Sequence, residues 1–296
     1  MEMLEAMTSR VVVSDWYDAS SLGAAMTKGT SKPRWSYTIA GGDAGKQRLN
    51  LLAEIMLPTT LRLLDDAGLR RGDQCLDLGC GGGHVTLDIA RIVGPQGRVT
   101  GVDFDLQILE LARRDAAHAG LSNVEYHAGD ARVFDGGPFD LVYARFLLSH
   151  LSEPENVLAH MRHLVRPGGR LVIEDTDVSG CYCHPHNVAN ARFVELIIEV
   201  TRRSGGDCNL GRRLPAIVLA AGLSDVRWNV FQPVHARGTH KHILAITMES
   251  IRPAVRRHGL ATDQEIDAII ADMHAFAENP ATLVGMPRIV QIWATV

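Results

Sequence analysis

Apolar and polar positions along this chain follow two periods, and the switching between them predicts most of the fold. Over residues 44–67, Leu49, Leu52, Ile55 and Met56 recur at the spacing of one helix face. Pro58 is expected to kink or restart that helix, and Gly68 to end it. Short strand-like runs then occupy residues 74–78, 98–102, 124–127, 139–143 and 170–174. Helical patterns fill residues 84–93, 106–119 and 154–165, while only a short connection joins the third and fourth runs. Strand, helix, strand repeated in this way builds a parallel sheet covered on both faces by right-handed crossovers.

After the fifth run the rhythm changes. Residues 187–204 read as a helix, with Val194, Ile197, Ile198 and Thr201 clustered by the 3.6 period, and residues 210–221 as another, closed by Gly222. Residues 226–231 alternate like a strand, and residues 239–251 are helical until Pro253. Thr262-Asp263-Gln264-Glu265 is a capping box, opening a helix with Ile266, Ile269, Ile270, Met273 and Phe276 on one face. Asn279-Pro280 stops it, and residues 288–296 read as a final strand. Residues 1 to about 34 keep no sustained period and suit an arm or weakly ordered cap.

Composition narrows the class. With 46% hydrophobic and 22% charged residues, the chain has ample apolar surface to offset chain entropy, which excludes disorder as its main state. No apolar run approaches the roughly 18 residues of a membrane span, and the N-terminus does not read as a secretory signal. A net charge of −4, with arginine pairs spread along the chain, argues against a dedicated nucleic-acid binder. Five cysteines in a long chain suit reduced thiols and a cytoplasmic protein.

The sharpest local signal is Asp77-Leu78-Gly79-Cys80-Gly81-Gly82-Gly83, directly after a strand and before a helix. Such a loop permits a tight turn and close approach of backbone to ligand. It fails the dinucleotide pattern G-x-G-x-x-G, because His84 falls at the last position counted from Gly79, and it has no P-loop lysine. Asp103 closes the next strand, where a carboxylate can accept two hydrogen bonds from a ribose diol, and Phe104 is placed to flank a flat base. Gly129-Asp130-Ala131 follows the third strand, a short acidic loop that suits an adenine amino group.

With these in place, the chain resembles the class I S-adenosylmethionine-dependent methyltransferases, in particular their small-molecule, ubiquinone-biosynthesis-like and secondary-metabolism branch. The likeness runs from about residue 73 to 175, through residues 75–83, Asp103, residues 129–131, Phe139-Asp140-Leu141-Val142-Tyr143 and Arg166-Pro167-Gly168-Gly169-Arg170-Leu171. It implies an α/β fold, a Rossmann-like seven-stranded, mostly parallel sheet with helices on both faces, an antiparallel last strand and a helical substrate cap. It also implies S-adenosylmethionine as cofactor, its methionine part on Gly79 and Gly81, its ribose on Asp103 and its adenine amine on Asp130. The full expected cofactor-binding set is Asp77, Gly79, Cys80, Gly81, Gly83, Asp103, Phe104, Gly129, Asp130, Ala131 and Arg145.

Departures from the family's minimal sheet locate the cap. An arm or cap is expected over residues 1–43, core over 44–186 and 210–237 with a final strand over 281–296, and helical cap insertions over 187–209 and 238–280. Methyl transfer needs alignment and exclusion of water, and a base only where the nucleophile must lose a proton. His150, Asp175 and Tyr37 are the catalytic candidates, each with an ordinary structural alternative, and Tyr37 and Arg48 could fold over the cofactor. The segment Cys181-Tyr182-Cys183-His184-Pro185-His186 crowds soft ligands into one loop without a second knuckle, so no metal is expected and a pocket-lining loop is. The expected partner is a small molecule, with neither nucleic acid nor membrane, and a homodimer is an open expectation. Competing readings are a protein or nucleic-acid methyltransferase on the same core, and a non-catalytic or NAD-type α/β protein.

Overall fold

A computed structural model describes residues 42–296, with side chains from Arg48 onward; Tyr37 and the expected N-terminal arm lie outside the described residues. The main sheet has seven strands in the order β3-β2-β1-β4-β5-β10-β7. They are β1 (Gln74–Leu78), β2 (Arg98–Asp103), β3 (Val124–Ala128), β4 (Phe139–Arg145), β5 (Val165–Asp177), β7 (Ser224–Phe231) and β10 (Arg288–Thr295). The first five run parallel, and β10 lies antiparallel to both β5 and β7. Cys75, Leu76 and Leu78 of β1 are fully buried, as a central parallel strand requires when helices cover both its faces.

The flanking helices are α1 (Gly42–Asp66), α2 (His84–Val93), α3 (Leu106–His118), α4 (Pro154–Leu164), α5 (Val188–Arg203), α6 (Leu214–Ala220), α7 (Ile243–Arg257) and α8 (Asp263–Glu278). Local chemistry sets their starts. Asp105 caps α3 by accepting from the amides of Gln107 and Ile108, and Thr262 caps α8 by accepting from Glu265 N. One face of the sheet packs on α4 and α6 through Val157, Met161, Leu214 and Val218. The other packs on α2 and the second half of α1 through Ile89, Val93, Leu63 and Leu64.

A separate apolar cluster joins the helices expected to form the cap to the first half of α1. Phe193 and Val200 of α5, Met248 and Val255 of α7 and Ile266 and Met273 of α8 meet Leu52, Ile55 and Met56 of α1. Helix α1 therefore serves two cores, the α5, α7 and α8 cluster with its first half and the sheet with its second.

Three expectations need correction. Helix α1 runs unbroken through Pro58, and α7 through Pro253. A proline inside a helix costs about 3 kcal/mol, but fully buried neighbours on the same helices, Met56 and Val255, are anchored in the cap cluster and outweigh it. Residues 210–213 form a 3₁₀ turn, with α6 starting only at Leu214, where Pro215 suits the first turn. Finally, residues 181–186 do not line the pocket. They contribute β6 (Tyr182–His184) to a small sheet in the order β6-β9-β8, with β9 (Leu283–Gly285) and β8 (Val234–His235), where backbone pairing to β9 holds them.

Candidate active site

The sheet order reverses between β1 and β4, and open α/β sheets bind ligands beyond the strand ends at such a point. A cavity of about 230 Å³ lies there. One part of its wall is the loop after β1, the ends of β2 and β4 and the loop after β3. Further lining comes from α1, α5, α7, the stretch after β4, and Met286, Pro287 and Ile289.

The glycine loop is built for close approach. Gly79 and Gly81 take φ of +75° and +51°, a region costly for other residues. A Cβ on Gly79 would come within 2.9 Å of Leu147, whereas one on Gly81 would meet only Leu49, at 3.8 Å. Space at Gly81 is thus cavity space, while Gly79 is fixed by packing. Gly83 differs again. It does not line the cavity, and its Cβ would fall 2.3 Å from the Tyr126 hydroxyl. Its lack of a side chain lets β3 pack against the start of α2.

Asp103 lines the cavity and is tied to both neighbouring loops. The amide of Gly81 donates to its Oδ2 at 2.9 Å and that of Asp105 to its Oδ1 at 3.0 Å. Burial raises its pKa, against those amide bonds. Each oxygen keeps a further lone pair, enough for a diol. Phe104, nearly half exposed at 48%, stands beside it on the cavity wall.

Asp130 also lines the cavity, with Gly129 and Ala131. Its carboxylate is gripped by Arg132, whose backbone amide and Nε both donate at 2.9 Å, and that pairing holds its pKa down. An amine at Asp130 therefore shares an acceptor that Arg132 has already oriented.

Asp77 is buried on the cavity wall and accepts from Thr86 Oγ1 at 2.6 Å. Burial pushes its pKa up to about 6, opposed by that bond and by the charge of Arg145. Cys80 lines the wall too, its thiol pKa driven up by burial, so it offers shape rather than a thiolate. Arg145 donates to Thr60 Oγ1 at 3.3 Å. Phe146 follows in the left-handed region at φ 54°, its amide held by Glu174 O at 2.8 Å, a strained backbone on the cavity wall.

The catalytic candidates separate. His150 faces the cavity, and burial together with the positive charge of Arg48 pulls its pKa down to about 4. An imidazole so held is neutral at physiological pH and a weak proton acceptor. Asp175 is fully buried and absent from the cavity wall; its carboxylate accepts from the amides of Ser149 and Thr176 at 2.9 and 2.8 Å. It positions the stretch that carries His150. Among the described residues, no group of three His, Cys, Asp or Glu side chains is arranged to hold a metal.

Sequence reasoning missed the support beneath this floor. Glu174, fully buried, accepts from Thr60 Oγ1 and Gln291 Nε2, each at 2.8 Å, and from the Tyr143 hydroxyl. Thr60 in turn accepts from Arg145, so the network reaches the cavity. Its members are 31 to 117 positions apart from Glu174, and a lone acid at a strand end was the only signal available.

Residues 69–203 match the family model for the methyltransferase domain. Two curated relatives are an uncharacterised 37.1 kDa transposon protein of Streptomyces fradiae, 32% identical over 55% of this chain and 46% of its own, and the demethylmenaquinone methyltransferase of Staphylococcus aureus, 35% identical over 39% and 48%. The chain thus spans about half the length of the curated relatives it matches. In solved structures, a phosphoethanolamine N-methyltransferase of Haemonchus contortus in complex with S-adenosyl-L-methionine superposes with a TM-score of 0.53 at 17% identity, over 84% of this chain and 57% of that one, a likeness of fold alone. The chain carries a class I S-adenosylmethionine-dependent methyltransferase domain, and S-adenosylmethionine is the cofactor of that domain. The cavity fits it: Gly81 leaves open the space a side chain would fill, and Asp103 and Asp130 present oriented carboxylate acceptors on its wall. Among the described residues, no helix is long and apolar enough to cross a membrane.

Proposed function

We propose that this protein transfers a methyl group from S-adenosylmethionine to a small-molecule acceptor with an apolar, aromatic or lipid-like body, of the kind found in secondary metabolism. The observation that carries this reading is the two-part wall of a single cavity. Oriented acids and a glycine loop form one part; Leu52, Phe193, Ile197, Ile243, Leu244 and Ile251 contribute to the other. When bound, the cofactor supplies a methyl carbon made electrophilic by a sulfonium. The chain's own residues do the rest. Gly79 and Gly81 let the loop backbone approach, Asp103 and Asp130 fix the far end, and the helical wall excludes water and narrows the acceptor's approach. The demethylmenaquinone methyltransferase relative agrees with an apolar acceptor.

The test is a screen with S-adenosylmethionine labelled in the methyl group, across phenols, quinols, amines and fatty acids, followed by locating the label. Transfer to one small-molecule class supports the reading. Label found only in protein or nucleic acid substrates would replace it.

A further inference from the structure

The two edges of the main sheet are built differently. At one edge β3 is five residues long, and its Glu125 is engaged by Arg98 and Thr100 of β2. Arg113 of α3 also donates to the Tyr126 carbonyl at 2.8 Å. Short length and charge of this kind discourage further strand pairing. At the other edge β7 spans eight residues without lysine or proline, and no described strand pairs with its outer side. Its register shift against β10 falls before Arg227, so residues 227–231 run regularly.

One face of that outer strand is apolar and uncovered. Trp228 and Val230 lie opposite Ile292 and Val290 of β10, and directly opposed residues share a face. Ile292 belongs to the cluster under α4 and α6, which Val226 joins as well. Helix α6 is only seven residues long, and Trp228 and Val230, past Val226, are each 53% exposed. Sheet proteins ordinarily avoid an aromatic and a β-branched side chain half in water on an open edge.

The edge is also self-complementary. Val226-Arg227-Trp228-Asn229-Val230 has the same apolar pattern read in either direction. Laid antiparallel about a two-fold axis at Trp228, two copies bring Trp228 against the partner's Trp228 and each Val226 against the partner's Val230, all on one face. On the opposite face each Arg227 comes beside the partner's Asn229. Asn229 spends its Nδ2 on Gln291 Oε1 at 3.2 Å, which leaves its carbonyl oxygen to accept from a guanidinium. An axis one residue earlier would instead set two Arg227 side chains against each other. Any extended segment can pair with an open edge; the symmetry of this one selects a second copy.

We propose that β7 is the interface at which two copies of this chain associate, edge to edge, into one continuous sheet. Strands β5 and β10 stand between β7 and β4, so the pairing leaves the loops after β1, β2 and β3 on the cavity wall untouched. The inference goes beyond the methyl-transfer reading and does not depend on the acceptor.

The test is sedimentation equilibrium of the full chain, with Trp228→Lys and Val230→Lys beside it, together with hydrogen exchange at low and high protein concentration. The native chain should reach twice the mass of one chain at micromolar concentration. Each lysine is introduced in both copies at once, so each variant should associate at least about 100-fold more weakly. Binding of S-adenosylmethionine should be unchanged in both. Outward-facing amides of residues 226–230 should exchange more slowly as the native chain associates, while those of β3 keep one rate throughout. A native chain that stays monomeric, a dimer that forms equally in both lysine variants, or β7 exchange that does not follow association would each overturn the proposal. Full protection of the β7 amides in a monomer would mean that another part of the same chain covers the edge, and would overturn it too. Exchange on the native chain decides the matter even if the variants do not fold.

Discussion

The backbone amide of Gly81 donates to Asp103 Oδ2 at 2.9 Å, so the glycine loop after β1 and the acid at the end of β2 form one unit. Asp103 then does two things, presenting lone pairs to the cavity and fixing the loop. Asp103→Ala is expected to speed hydrogen exchange at Gly81 in the ligand-free protein, since a hydrogen bond to a charged acceptor contributes about 1.5–3 kcal/mol. Asp103→Asn, which keeps an acceptor oxygen, should lie between. Equal exchange in all three proteins would show that the loop holds its shape without the acid.

The glycines of the loop should fail in different ways when substituted. Gly83→Ala places a Cβ 2.3 Å from the Tyr126 hydroxyl at φ +77°, so it should lower stability by about 2–4 kcal/mol from overpacking and backbone strain together. Tyr126→Phe, which removes the nearest atom, should restore part of that loss. Gly81→Val adds its side chain toward the cavity and should weaken cofactor binding more than folding. Thermal melts and binding isotherms on both variants decide it; a Gly83→Ala protein as stable as the parent would contradict the packing described.

Removing the carboxylate of Glu174 strands three buried donors, on Thr60, Tyr143 and Gln291. Glu174→Ala should cost about 3–5 kcal/mol in denaturant unfolding, the range for breaking a buried charged network from one side. Because Thr60 also receives Arg145, Thr60→Val should be milder in stability yet measurably loosen cofactor binding. A loss below about 1 kcal/mol for Glu174→Ala would mean that the network contributes little.

Much of this was legible from local pattern. The element order, the glycine loop, Asp103 and the loop at Asp130 are short-range signals, and the cavity gathers all of them. What escaped depends on distance in sequence. Arg48 is legible as a residue that could fold over the cofactor, but its anchor on Thr247, 199 residues later, is not. Pro58 signals a kink or restart and Pro253 a helix end, yet both helices continue through them under tertiary burial. The small β6-β9-β8 sheet consists of strands of two or three residues, too short for any period to show. Asp175 looked like a ligand group because it ends a strand, but its lone pairs turn inward to Ser149 and Thr176.

Stability should depend on pH through opposing groups. His150 ordinarily titrates at 6.5 and here at about 4, mainly through burial. Its contribution is full above pH 6.5 and is lost as pH falls through about 4, because the unfolded chain binds the proton first. Asp77 and Asp175, raised by burial from 3.8 to about 6, act the other way: their contribution is full below pH 3.8 and is lost as pH rises through about 6. Relative to His150→Gln, the native chain should lose about 3 kcal/mol between pH 6.5 and 4. Relative to Asp175→Asn, it should instead lose stability between pH 3.8 and 6. Parallel unfolding curves for the native chain and either variant across its window would show that the buried group keeps its ordinary acidity.

Calorimetric titration of the native chain and of Asp103→Ala with S-adenosylmethionine, with NAD as the control ligand, tests the central claim most directly. The native chain should bind one S-adenosylmethionine per chain and no NAD, and Asp103→Ala should bind S-adenosylmethionine about 10- to 100-fold more weakly, the equivalent of roughly 1.4–2.8 kcal/mol. A native chain that binds NAD instead, or an Asp103→Ala protein with unchanged affinity for S-adenosylmethionine, would contradict the assignment of this cavity.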